Sequence, residues 1–159
     1  MMKVGNKVII EIPKIEHFIE INNIARQVHD IHVKWNSDLF LKVENPIEKE
    51  RLEYLIKEQK IFVIKNSNEI LGYMIIDIKE SIVHGLRYRK VLKIENLGVD
   101  ESTRGKGLGT KLLEFAKEKA KENNCTDIYL TVNEENEKAI KLYEKLGFSV
   151  RNIAYQMKL

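Results

Sequence analysis

What most restricts this chain is a strand, a glycine loop and a helix in direct succession. Val91, Leu92, Ile94, Leu97 and Val99 mark an apolar strand that ends at Val99. Leu108, Leu112, Leu113, Phe115, Ala116 and Ala120 then form one stripe of a helix. Lys111, Lys117, Lys119, Lys121, Glu114 and Glu118 take its wet face. Between the two lies Arg104-Gly105-Lys106-Gly107-Leu108-Gly109-Thr110. Alternating glycines allow positive φ and let a ligand approach the backbone closely. The unpaired N–H groups of the helix start, at the positive end of its dipole, bind anions. Arg104 and Lys106 add charge, so the loop predicts a phosphate or pyrophosphate held mostly by backbone. Two nucleotide templates fail here. Counting from Gly105, both the P-loop and the dinucleotide fingerprint need glycine where Thr110 stands.

The rest of the chain supplies a sheet and more helices. Residues 8–12 are apolar and β-branched, a strand closed by Pro13. Residues 15–34 carry Ile15, Phe18, Ile24, Val28 and Ile31 at helical spacing, and Trp35 to Asp38 reads as a loop. Asn45-Pro46 opens a second helix with Leu52, Leu55 and Ile56 on its apolar stripe. Residues 61–64 and 70–78 form a hairpin across Asn66 to Glu69, and 88–99 continues it after a connection over 80–86. Asp127 to Val132 reads as a buried strand. Glu135 to Leu146 reads as an amphipathic helix stopped by Gly147. Phe148 to Leu159 reads as a last strand, bent near Asn152. Helix follows strand in the second half, so a mixed α/β domain with a parallel crossover is expected.

Composition excludes several classes. The chain has 159 residues, 43% hydrophobic and 32% charged, with a net charge of +3. That fits one globular domain rather than a disordered or disulfide-stapled chain. The single cysteine, Cys125, forms no internal disulfide and fits a reducing, cytoplasmic setting. It has no histidine beside it in sequence and reads as structural. No apolar run approaches the ~18 residues of a membrane span, and no apolar segment backs the lysines of Met1 to Lys7. Arg87-Tyr88-Arg89-Lys90 reads as a solvated strand edge rather than a nucleic-acid patch.

Arg104, Gly107 and Gly109, as Arg-x-x-Gly-x-Gly opening a helix, resemble the acetyl-CoA signature of the GNAT (Gcn5-related N-acetyltransferase) superfamily. Glu95-Asn96-Leu97-Gly98-Val99 is similar to that family's central strand. Asn133, Asn136, Ala139, Tyr143 and Gly147-Phe148 are similar to its C-terminal helix block. The match is close over residues 61–150 and reaches 8–60 only in element order. It implies a mixed, α+β-like α/β fold. Its sheet would be mostly antiparallel with one parallel, splayed pair, flanked by about four helices.

The resemblance also implies roles. Backbone N–H groups of Arg104, Gly105, Lys106, Gly107, Leu108, Gly109 and Thr110 would hold the pyrophosphate of acetyl-CoA. Leu97 and Val99 would offer backbone groups to the thioester and the pantetheine arm. Asn136 would bond that arm or support the site. Tyr143 would be the general acid at the thioester sulfur, and Glu95 the base that draws the amine's proton. No metal is expected, although His29 and His32 stand i, i+3 on one helix. The acceptor side would draw on His29, His32, Trp35, Asn36, Asp38 and Phe40, with Tyr73 as another wall. An acidic pocket from Glu95, Asp38 and Glu44 would suit a polycationic acceptor.

The expected activity is transfer of acetyl to a primary amine, by direct attack in a ternary complex. A small-molecule acceptor is favoured because the chain has no spare domain for a protein partner. A protein N-terminus or lysine remains an alternative, as does a silent acyl-CoA-binding regulatory module. A kinase is a weaker one, since the phosphate templates fail. Small members of the family often pair through edge strands or C-terminal segments, which makes a homodimer compatible with the resemblance.

Overall fold

Pattern becomes architecture in the computed structural model, which describes residues 7–159. The expectation that no apolar leader precedes the fold falls on residues 1–6, outside those described. The strands are β1 (Ile9–Glu11), β2 (Ile61–Lys65), β3 (Ile70–Ser81), β4 (Arg89–Val99) and β5 (Asp127–Tyr129). They form one sheet in the order β1-β2-β3-β4-β5. Every neighbour is antiparallel except β4 and β5, which run parallel. The helices are α1 (Phe18–Trp35), α2 (Lys49–Lys57), α3 (Leu108–Glu122) and α4 (Glu137–Lys145).

The sheet is covered on both faces. Alternation along β2 and β3 sends Ile61, Val63, Tyr73 and Ile75 to one side, where they meet Ile21, Ile24, Leu52 and Leu55 of α1 and α2. Phe62, Ile64, Met74 and Ile76 go to the other, against Leu108, Leu112, Leu113 and Ala116 of α3. Leu142, Tyr143 and Leu146 of α4 pack on that second core. Each fully buried aliphatic or aromatic side chain stabilises the fold by about 1.5–3 kcal/mol, so these two cores fix which face each helix covers.

Among the boundaries that differ from the sequence expectation, four have a clear local reason. Helix α2 starts at Lys49 rather than at Pro46. Asn22 of α1 grips Ile47 by two hydrogen bonds of 3.0 Å, and Glu48 is still extended at ψ 153°. Strand β3 runs on to Ser81, because Lys79, Glu80 and Ser81 pair with Val91, Lys90 and Arg89. Strand β5 stops at Tyr129, where its parallel ladder with β4 ends at Lys93. Helix α4 starts at Glu137, because Asn136 turns its side chain onto the Ala139 N–H at 3.2 Å and caps the helix.

The last expected strand, over 148–159, does not form. Gly147, at φ +93°, ends α4, and Phe148 folds back against Tyr143 with ring centroids 5.7 Å apart. Beyond it the chain is exposed, and Lys158 reaches Asp38 at 3.0 Å. Ile153, Tyr155, Met157 and Leu159 do alternate, but a strand also needs a partner's backbone. The gap this leaves is a cavity of about 1480 Å³ between that segment and β5.

Candidate active site

The site grows from one irregularity in β4. Ile76 pairs with Ile94 and Ile75 with Asn96, so Glu95 has no partner on β3. A bulged residue bends its strand and sharpens the twist. Strand β4 holds β5 only through Val91, Leu92 and Lys93, and continues to Val99 without it. The two strands therefore part beside Leu97 and Val99, leaving β4 without a strand partner on that edge. Gly72 permits the matching approach of β3, since a Cβ there would lie 2.8 Å from the Gly98 carbonyl oxygen.

At the end of β4 the chain turns into the glycine loop. The Asp100 carboxylate accepts the Ser102 N–H at 3.0 Å, and its other oxygen accepts from Gln27 of α1 at 2.9 Å. Gln27 in turn accepts the Glu101 N–H at 2.8 Å. The Ser102 hydroxyl, which also donates to this carboxylate, and then Gln27 hold the Asp100 carboxyl below its ordinary pKa. Gly105 and Gly107 take φ of +79° and +81°, and open space surrounds the place of a Cβ on each. Gly107 caps α3, and the first turn of α3 presents its free N–H groups outward. This cradle fits a pyrophosphate: open glycines, unpaired donors and a helix dipole. Lys106 is exposed beside it. Arg104 is also exposed, but its Nε donates to the Val99 carbonyl at 3.1 Å, tying the loop to the strand end.

Tyr143 lies half-buried on α4 and borders the large cavity, which it shares with Trp35, Leu130 and Phe148. That cavity touches neither Leu97 nor Val99. Burial pushes the Tyr143 phenol above its ordinary pKa, so it keeps its proton at neutral pH. Asn136 uses its Oδ1 for the α4 cap, and its Nδ2 has no hydrogen-bond partner among the described residues.

On the α1/α2 face, Glu95 meets Arg51 of α2 at 3.1 Å. Asp38 is taken by Lys158, and Glu44 gives only its carbonyl, to Arg26 at 2.7 Å. The expected acidic trio is therefore split among separate partners. His32 packs 5.5 Å from Phe40 and 5.6 Å from Trp35, centroid to centroid. Burial, and then the neighbouring His29, lower its pKa and favour its neutral form. His29 Nε2 is committed to the Leu41 carbonyl at 2.7 Å. Tyr73 requires correction as an acceptor wall. It is fully buried under Gly98, and only its hydroxyl reaches outward, to Asn96 at 2.9 Å. Cys125 is half-buried and its thiol is pushed up by burial, the opposite of the activation a nucleophilic cysteine needs.

Sequence reasoning passed over Asn96, Arg51 and Gln27. Asn96 had a visible signal. Two adjacent polar residues between Ile94 and Leu97 break the alternation of a strand, as a bulge does. Arg51 and Gln27 had none, because each meets its partner only across the fold.

The chain matches the model of the acetyltransferase (GNAT) family over residues 25–148. An uncharacterised N-acetyltransferase of Methanocaldococcus jannaschii is 31% identical over 96 residues, 60% of this chain and 42% of that one. An N-alpha-acetyltransferase of Sulfurisphaera tokodaii is 33% identical over 95 residues, 57% of each chain. This chain thus spans about half the length of those curated relatives. A crystal structure of a variant Bacillus halodurans protein superposes with a TM-score of 0.90 at 26% identity, covering 95% of this chain and 99% of that one.

Proposed function

The chain belongs to the acetyltransferase (GNAT) family, and on that premise we propose that it is an acetyl-CoA-dependent N-acetyltransferase acting on a small-molecule primary amine. The activity is assigned to one domain, in the cytoplasm. The observation that carries this reading is the parting of β4 and β5 directly before the α3 cradle. One end of that slot suits a pyrophosphate, and its side offers free strand backbone to an amide-bearing arm. Among the described residues no helix is long and apolar enough to cross a membrane.

Acetyl-CoA supplies an activated acetyl group as a thioester. The N–H groups from Arg104 to Thr110 hold its diphosphate, with Lys106 adding charge. Backbone groups of Leu97 and Val99 align the arm, and the Asn136 Nδ2 is available to it. The Leu97 N–H stabilises the oxyanion that forms at the acetyl carbonyl, an effect worth ~2.7–4 kcal/mol per donor. Glu95 accepts the proton of the incoming amine, directly or through water, while Arg51 holds its other oxygen. The C–N bond forms and the C–S bond breaks in one ternary complex. Tyr143 gives a proton or hydrogen bond to the leaving sulfur, and its protonated state at neutral pH supports that role. No covalent enzyme intermediate is needed, in keeping with an unactivated Cys125.

A second reading draws on the Sulfurisphaera relative, named an N-alpha-acetyltransferase. There the acceptor would be the α-amine of a polypeptide. Thermal melts with acetyl-CoA, CoA, NADH and ATP in parallel test the cofactor. Ligand at ~100 times Kd adds about 2.7 kcal/mol, a rise of roughly 5–11 °C for a domain of this size. A rise with acetyl-CoA and CoA but not with NADH or ATP is expected. Thiol release on an amine panel then separates an enzyme from a silent binding module. No rise with acetyl-CoA overturns the reading.

A further inference from the structure

Resting on the acetyl-transfer reading above, we propose that Asn96 is an acceptor-binding residue, oriented by Tyr73, and that it selects amines carrying an oxygen on the second carbon from nitrogen. The bulge is the starting point. Ile94 and Leu97 both face the α3 core, although three positions apart. The two residues between them therefore share the other face. Glu95 meets Arg51 of α2 there, and Asn96 meets the hydroxyl of Tyr73, whose ring lies in the α1/α2 core. In a regular strand one of the pair would point away.

The orientation of the Asn96 amide follows from Tyr73. A buried phenol must find a hydrogen-bond partner, because leaving it unpaired costs the full desolvation of the group. The ring is pinned against Gly98, where a Cβ would lie 2.7 Å from Tyr73 Cε1. Its hydroxyl donates to Asn96 Oδ1 at 2.9 Å. Burial keeps the phenol protonated, so it remains the donor. The Asn96 amide is therefore fixed with Oδ1 inward and Nδ2 outward. Asn96 is exposed, and among the described residues Nδ2 has no protein partner.

The consequence is a two-point reader. An acceptor oxygen, the Glu95 carboxylate, and a donor, the Asn96 Nδ2, are carried by consecutive residues that the bulge turns to the same face. A molecule that gives its amine to the first and an oxygen to the second must carry the two groups close together. 2-Amino alcohols and α-amino carbonyl compounds do so, whereas alkylamines and amines with a remote hydroxyl do not. Tyr73 acts through Asn96 and is a positioning residue.

The test uses the full chain, acetyl-CoA and thiol release with four amines: 2-aminoethanol, glycinamide, propylamine and 5-aminopentanol. Rates are compared as ratios to propylamine in wild type and in Asn96→Asp. The substitution keeps an oxygen for Tyr73 but removes the outward N–H, so a merely structural Asn96 would leave the ratios unmoved. Taking each variant's ratio against the wild-type ratio cancels the differing basicities of the amines. The expected result is that kcat/KM for 2-aminoethanol, glycinamide or both falls relative to propylamine, on the order of tenfold. Whichever of the two responds separates an amino alcohol from an α-amino carbonyl acceptor. 5-Aminopentanol should track propylamine. Tyr73→Phe should shift the same ratios in the same direction, with KM for acetyl-CoA unchanged. Unchanged ratios with turnover retained overturn this assignment alone. No thiol release with any of the four overturns the small-amine reading, and this assignment with it.

Discussion

Tyr143 carries the chemical step in the proposed mechanism, and its surroundings explain why a tyrosine can. The phenol is half-buried against Phe148, and burial raises its pKa. The phenol keeps its proton at neutral pH, so it can donate a hydrogen bond to a sulfur leaving as thiolate. Tyr143→Phe keeps the ring and its packing and removes only the hydroxyl. We expect kcat to fall about 10²-fold, while acetyl-CoA still raises the melting temperature. An unchanged kcat would remove Tyr143 from the acid role. Cys125 is the contrasting residue. It is reactive by type, but burial pushes its thiol the wrong way for a nucleophile.

At the scale of elements, the cradle is held by parts distant in sequence. Gln27 of α1 bonds both the Asp100 carboxylate and the Glu101 N–H, and the Asp100 N–H donates to the Leu71 carbonyl at 2.9 Å. The turn into the glycine loop is thus pinned between α1 and β3. A net hydrogen bond is worth about 1 kcal/mol. Gln27→Ala should therefore weaken acetyl-CoA binding about fivefold by calorimetry, with little change in KM for the amine. Equal affinity in the variant would mean that the loop holds its shape unaided. The bulge in β4 works at the same scale. One unpaired residue both frees the strand edge and turns Glu95 and Asn96 to the same face.

For the whole molecule, two cores on opposite faces of one sheet place buried phenols in each. Tyr73 belongs to the α1/α2 core and packs under Gly98, and Tyr143 borders the α3 core. Burial raises both pKa values in the folded state. An unfolded tyrosine ionises near ~10. Above that pH the folded chain binds more protons than the unfolded one, so stability falls as pH rises. Lys60, raised chiefly by its hydrogen bond with Asp77, adds the same sign. The urea midpoint should be lower at pH 11 than at pH 8, and the drop should be smaller in Tyr73→Phe. A midpoint that does not move between the two would contradict the burial of these phenols.

Local pattern alone determined much of this protein. Side-chain periodicity set α1, α3, β2 and β4 to within a few residues, since period 2 and period 3.6 are properties of neighbouring positions. The sharp turns of the glycine loop were legible for the same reason: the need for positive φ is written in the residue type. Tertiary structure decided what depends on a partner. Strand β5 is only as long as β4 stays beside it, and residues 148–159 alternate as a strand does yet find no backbone to pair with. Tyr73 read as a wall because it is aromatic, and became a support because Gly98 lies over it. Which end of the Asn96 amide faces inward, which cation meets Glu95 and which helix clamps Asp100 are matters of contact between distant residues. Hydrogen bonds and ion pairs act over a few ångströms in space, and sequence spacing carries no measure of that distance.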